Sequence, residues 1–238
     1  MVPDSYAKMH ITPGNSVLDA GCGPGIDAFA LAEIVTSTGR VTDIDHDREM
    51  LDQANRQARE MAMDACLHFQ QADVCSLPFP DDHFHSCRSE RLFMHLHHPE
   101  QALQEITRVT KAGGRVVIVD TDWASLSIDN PIPETERIFS QYRIDKIINN
   151  GYSGRSLHRL FRESRFLDID IEVFPLFTTD VNLFYALSVQ EIVENQALAD
   201  NVISEQQQTD WRKHMQQAAA AETFYSSIDI VMVSGTVA

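Results

Sequence analysis

Apolar positions follow two rhythms in the first half of the chain. "SVLDAG" (16–21) is a short apolar run that reads as a buried strand, with Pro13-Gly14 as the turn before it. From Asp27 the spacing changes: Ala28, Leu31, Ala32 and Val35 fall at i, i+3, i+4 and i+7, which predicts a helix that Gly39 stops. "RVTDID" (40–45) predicts a second strand, "REMLDQANRQAREMAM" (48–63) a second helix and "LHFQQAD" (67–73) a third strand. The two prolines of "LPFPDD" exclude regular pairing there, and "FHSCRSE" (84–90) follows as a fourth strand. "PEQALQEITRVTKAGG" (99–114) reads as a helix with proline in its first turn, a basic residue in its last and paired glycines as its C-cap. "RVVIVDTDW" (115–123) is the fifth strand. Buried strands alternating with helices predict an α/β fold, a doubly wound, mostly parallel sheet with helices on both faces.

The second half is less regular. "IPETERIFSQYRIDKIINNG" predicts a helical excursion ending at Gly151, "GRSLHRLFRESRF" a helix and "LDIDIEVFPLFTTD" a strand. Residues 189–222 read as mostly helical, the glutamine and alanine runs being solvated helix, and "TFYSSIDIVMVSGTVA" closes the chain as a strand. With no Gly/Ser linker and no internal repeat, residues 1–238 are expected to form a single domain with a helical insertion.

Charge narrows the function. Nineteen basic against 35 acidic residues give a formal net charge of −16, which repels a phosphate backbone, so no nucleic-acid partner is expected. No apolar run approaches the roughly 20 residues of a membrane helix, and the first residues lack a basic-then-apolar export pattern. A cytoplasmic location without membrane attachment is the expectation. Cys22, Cys66, Cys75 and Cys87 show no CxxC pairing and read as reduced, mostly buried thiols. His95, His97 and His98 crowd into "MHLHHPE" without metal-ligand spacing, so no metal is expected.

The chemistry concentrates at "DAGCGPG". Gly21, Gly23 and Gly25 lie at a strand-to-helix turn, at the carboxyl end of the first strand, where open α/β sheets bind ligands. Asp45 follows Gly25 by twenty residues at the end of the second strand, where a carboxylate can accept from both hydroxyls of a ribose. A dinucleotide fingerprint needs a third glycine where Ile26 stands, which counts against a nicotinamide oxidoreductase. Asp19 beside the loop suits an amino-bearing cation better than a pyrophosphate. Those features point to S-adenosylmethionine.

At these residues the chain resembles the class I S-adenosylmethionine-dependent methyltransferases, of the small-molecule type that includes the ubiquinone-biosynthesis enzymes. "SVLDAGCGPG" is similar to the family's first motif and "GRVTDIDHDREML" to its second. "QADVCSLPFPDDHFHSCRSERLFMHLHHPEQALQEITRVTKAGGRVVIVD" resembles the third and fourth. The resemblance covers about residues 12–125, a cofactor-binding core. It implies a Rossmann-like, seven-stranded sheet with the last strand antiparallel, and a helical substrate lid from residues 125–155 and 176–215.

Carried over by position, Gly21, Gly23 and Gly25 line the methionine and ribose part of the cofactor, Asp19 helps hold its amino end and Asp45 its ribose. His46 lies next to the adenine, Asp73 at the end of the third strand accepts from the adenine amino group while Val74 offers its backbone, and Ser89, just past the fourth strand, faces the methionine. The family usually has a small residue at Asp43, which here competes for the ribose or caps a turn. About fifteen residues precede the first strand, fewer than the covering helices of the family, so that the site is open, or a second subunit of a homodimer closes it, or the gene start given is short.

Methyl transfer is an in-line displacement needing positioning, desolvation and, for a hydroxyl or amine, a base. His95 is the first candidate base, with Glu90 and Tyr152 behind it. Arg91 suits an anionic acceptor, and Trp123 and Tyr152 suit a pocket lining. The apolar "FPLFTTDVNLFYAL" suggests a hydrophobic or aromatic small-molecule acceptor, as in biosynthesis, with S-adenosylhomocysteine as the spent product. The alternative is a protein that binds S-adenosylmethionine without transferring the methyl, cyclase-like or regulatory.

Overall fold

The computed structural model describes residues 5–63 and 65–238. In chain order the elements are α1 (Ser5–Lys8), β1 (Ser16–Ala20), α2 (Ile26–Val35), β2 (Arg40–Asp45), α3 (Arg48–Glu60), β3 (Leu67–Gln71), β4 (Phe84–Glu90), α4 (Pro99–Val109), β5 (Thr110–Ile128), α5 (Pro133–Tyr142), α6 (Ser153–Glu163), β6 (Leu167–Thr178), α7 (Val181–Ser188), α8 (Gln190–Ala199), α9 (Glu205–Ala220) and β7 (Ser226–Thr236). A 3₁₀ turn at Phe93–His95 follows β4, and a π turn at Arg143–Ile147 follows α5.

The strands form one seven-stranded sheet in the order β3-β2-β1-β4-β5-β7-β6, in which β7 runs antiparallel to both its neighbours. The expected seven-stranded sheet, parallel but for its last strand, is present. Strand order reverses between β1 and β4, so their carboxyl ends open the crevice where such sheets take ligands.

Side-chain alternation splits the core. Val17, Val41, Val117 and Val119 point to one face with Ala28, Leu31, Ala32 and Val35 of α2 and with Met9 behind α1. Leu18, Ala20, Cys87, Val116 and Ile118 point to the other, under α4 and α6 through Leu103, Ile106, Leu157 and Phe161. A third cluster, built on Trp211, Phe139, Phe184, Val193 and Phe224, joins α5 and α7–α9 into a helical cap.

Several elements differ from the sequence reading. Helix α4 stops at Val109, and Gly113-Gly114 form no cap. They lie in a bulge of β5, where a five-residue step (Thr110 to Arg115) answers a two-residue step on β4 (Phe84 to Ser86). Gly113 (φ +78°) supplies the backbone turn that the bulge requires. Strand β3 ends at Gln71, so Asp73 lies in the turn beyond it, where it bridges Ser76. Helix α3 ends at Glu60 rather than 63. The helical tail divides into α8 and α9, and α7 adds a helix at 181–188 that apolar spacing alone left unassigned.

Where β4 stops, β5 continues with β7 as far as Ile128 opposite Ser226, and β6 with β7 as far as Thr178 opposite Ser226. This three-stranded extension carries the helical cap. Helix α7 is set at its mouth by Asp180, whose carboxylate accepts from the Asn182 and Leu183 amides.

Candidate active site

The glycine turn is tied to the neighbouring strand: the Gly21 and Cys22 amides both donate to the Ile44 carbonyl, at 2.8 and 3.0 Å. The glycines are bare for different reasons. A Cβ on Gly25 (φ +75°) would meet Phe69 at 2.9 Å and Ala54 at 3.0 Å, so its bareness serves packing. A Cβ on Gly23 (φ +53°) would meet nothing within 4 Å. Its main chain faces open space, the cradle that a close-lying ligand requires.

Asp45 organises that cradle. One carboxylate oxygen accepts from the Gly23 amide at 2.8 Å and the other from the Asp47 amide at 2.9 Å. The side chain keeps 11% of its surface exposed. The exposed His46 ring stands 3.1 Å from it. The Asp73 carboxylate accepts from the Cys75 amide at 2.9 Å and is exposed, while Val74 is buried. Asp45, His46 and Asp73 therefore share the carboxyl edge of β2 and β3.

Under the turn runs a charged row that the strand pattern concealed. Asp43, Asp19 and Arg88 are register neighbours across β2, β1 and β4, and all are buried. The Arg88 guanidinium lies 3.5 Å from Asp19, 3.0 Å from Asp27 of α2 and 2.5 Å from Glu90, and Tyr6 of α1 covers it with its ring centroid at 5.3 Å. The Tyr6 hydroxyl donates to Asp27, and burial first, then that Asp27 contact, pushes the phenol upward. Burial pushes Asp19 up to about 6 against the pull of Arg88. Asp43 stands well above the usual carboxylate range because it is sealed from water, with Asp19 adding to the effect. Both its oxygens lack a hydrogen-bond partner. Mid-strand and fully enclosed, Asp43 reaches no ribose and caps no turn. Arg88 thus faces the three acids Asp19, Asp27 and Glu90, a buried acidic excess under the glycine turn.

Ser89 lies inside β4 rather than past it. Alternation sends it to the face opposite Arg88 and Glu90, where it is fully buried and its hydroxyl has no partner. Arg88, Asp27 and Tyr6 were missed from sequence. The available signal was an arginine in the middle of a short strand whose alternate neighbours are buried.

A cavity of about 340 Å³ opens beside Glu90 and Arg91. Its floor is Thr121, Trp123 and Leu126 of β5, its side Leu176 and Phe177 of β6 with Ile228 of β7, and its roof Leu183, Phe184 and Leu187 of α7. Of the residues expected to touch an acceptor, Glu90, Arg91 and Trp123 line it, whereas His95 and Tyr152 are not among its walls. Arg91 holds a left-handed backbone (φ +55°), pinned by its amide on the Val119 carbonyl at 2.8 Å.

His95 sits on the 3₁₀ turn, exposed, its carbonyl accepting from Asn149 at 2.8 Å. Partial desolvation of its ring, then the nearby Arg91 charge, hold it below the usual imidazole value. Tyr152, 43% exposed, lies under the Arg155 guanidinium. Of the four free thiols only Cys87 is fully buried, the others half-buried. Among the described residues no group of three or more His, Cys, Asp or Glu side chains could hold a metal, and no helix is long and apolar enough to cross a membrane.

The open glycine cradle, the strand-end Asp45 and the buried acidic excess lie at the carboxyl edge of a doubly wound, Rossmann-like sheet, where such sheets take ligands. A methyltransferase domain model matches residues 18–118. The 2-phytyl-1,4-naphtoquinone methyltransferase of Synechococcus elongatus is 30% identical over 178 residues, 75% of this chain and 72% of that protein. A 37.1 kDa protein of transposon TN4556 from Streptomyces fradiae is 40% identical over 154 residues, and the match spans 44% of its length. The geranyl diphosphate C-methyltransferase of Streptomyces coelicolor A3(2), solved with Mg2+, geranyl diphosphate and S-adenosyl-L-homocysteine, superposes with a TM-score of 0.62 at 17% identity, over 99% of this chain and 78% of that one. The chain belongs to the methyltransferases.

Proposed function

We propose that this chain transfers the methyl of S-adenosylmethionine to a hydrophobic or aromatic small molecule held in the cavity between the sheet extension and α7. The observation that carries the reading is the apolar cavity itself, which opens at Glu90 and Arg91 on the carboxyl end of β4, beside the glycine cradle. A relative named for a phytyl-naphthoquinone acceptor supports an apolar substrate.

In this reading Gly21, Gly23, Asp19, Asp45, His46, Asp73 and the Val74 backbone hold the cofactor, and α5 with α7–α9 forms the lid. When bound, the cofactor supplies an electrophilic methyl on a good leaving group. The protein's part is to position and desolvate the nucleophile. Trp123, Phe184 and Leu183 exclude water around the acceptor. Glu90, aimed by Arg88, accepts the proton of an acceptor hydroxyl or amine, and Arg91 pairs with an anionic group at the mouth. His95 remains outside this proton path.

The test is to incubate the full chain with S-adenosylmethionine and a panel of phenols, naphthoquinols and isoprenoid acceptors, following S-adenosylhomocysteine by mass spectrometry. Acceptor-dependent product with apolar members is expected. Cofactor binding with no product from any acceptor favours the non-transferring alternative.

A further inference from the structure

Helix α7 roofs the cavity, yet the joint that aims it is uphill. Val189, between α7 and α8, has φ +48° and ψ +35°. A branched side chain rarely adopts the left-handed region, so the pose needs an outside restraint. Arg143 supplies one. Fully buried on the π turn, it donates from Nε to the Ser188 carbonyl at 3.0 Å and from Nη2 to the Gln190 side chain, gripping the residues on either side of Val189. Its guanidinium also lies 5.9 Å from the ring of Trp123 on the cavity floor. The grip extends inward. Gln190 donates to Glu194 at 3.3 Å, and Glu194 accepts from Tyr185 of α7 at 2.7 Å and from Arg212 of α9 at 2.7 Å. Gln190 and Glu194 are fully buried.

We propose that Arg143 is a positioning residue for acceptor specificity, one that sets the width of the cavity by holding the strained Val189 joint and so fixing α7 over Trp123. The inference rests on reading this cavity as the acceptor site, and it is separable from the cofactor site, whose residues Arg143 does not touch. An Arg143→Lys change keeps the charge and loses the fork that grips two partners at once. A Val189→Gly change makes the left-handed joint easy.

The experiment titrates the full-length protein with N-phenyl-1-naphthylamine, an uncharged apolar fluorophore, following energy transfer from tryptophan, with Trp123→Phe marking the cavity signal. Calorimetry with S-adenosylmethionine runs in parallel on each variant. Arg143→Lys is expected to weaken the probe about fivefold and leave cofactor affinity within about twofold. Adding Val189→Gly to Arg143→Lys is expected to restore probe affinity to within about twofold of the parent. A general loosening of the fold would not be repaired by a glycine. The proposal is overturned if Arg143→Lys leaves probe affinity unchanged, if it weakens cofactor and probe equally, or if the glycine restores nothing. If the parent protein does not bind the probe, the cavity reading falls and this proposal with it, whereas absent cofactor heat with intact probe binding strikes the cofactor site alone.

Discussion

Replacing Asp43 by Asn isolates the buried charge row under the glycine turn. Asp43 is fully buried, both its oxygens lack hydrogen-bond partners, and burial holds its carboxyl well above the usual range. An acid whose folded pKa exceeds its unfolded value takes up a proton on folding. Its folded state is therefore favoured below the unfolded value of about 3.9, and that contribution is lost progressively as pH rises toward the folded value, by about 1.4 kcal/mol per pH unit. Asn carries no such proton. The stability of Asp43→Asn minus that of the parent should climb with pH across this window, so two pH units inside it add about 2.7 kcal/mol. Asp19, pushed up to about 6, contributes a slope of the same sign to both proteins, and because it also acts on Asp43 the difference reports the two carboxyls as a pair. Urea unfolding at pH 5, 6 and 7, read by circular dichroism, measures it. Parallel pH profiles would mean that Asp43 is ionised in the folded protein, and the account of its carboxyl as raised by burial would collapse.

Three further outcomes test neighbouring residues. Arg88→Met leaves Asp19, Asp27 and Glu90 without their shared guanidinium and should cost about 3–5 kcal/mol, on the order of 10 °C in Tm by calorimetry. Gly23→Ala meets no atom, so it should lower stability by only about 1–2 kcal/mol of backbone strain while weakening cofactor binding at least about tenfold; Gly25→Ala, pressed on Phe69 and Ala54, should show the larger loss of Tm. With an acceptor in hand, Glu90→Gln should lower kcat about 100-fold or more and His95→Ala leave it within about threefold, since Glu90 lines the cavity and His95 does not.

Much of the fold and half of the site were legible in the chain. The 3.6-residue spacing in α2 and the apolar runs of β1 and β5 are local signals, and they survive assembly because both faces of a parallel sheet are buried. The glycine turn and Asp45 could be read for the same reason: backbone geometry and a strand-end position are properties of short segments. What could not be read depends on register. Arg88 pairs with Asp19 only because β4 lies beside β1 in one alignment, and a one-residue slip would send it to the opposite face. Ser89 was misplaced on that count, since its orientation follows from Arg88's. Gly113-Gly114 looked like a helix stop because glycines end helices and make bulges with equal ease. The cavity was legible only in part: the apolar segment at 174–187 supplies Leu176, Phe177, Leu183, Phe184 and Leu187, whereas Thr121 of β5 and Ile228 of β7 carry no motif that brings them there.

The most direct test is isothermal calorimetry of the intact protein against S-adenosylmethionine and S-adenosylhomocysteine, beside an Asp45→Ala variant. Saturable heat with the parent for both ligands, reduced at least about tenfold in affinity by the substitution, is the expected result. No heat from either ligand, or equal binding after Asp45 is removed, would contradict a nucleoside held between the Gly23 backbone and the Asp45 carboxylate.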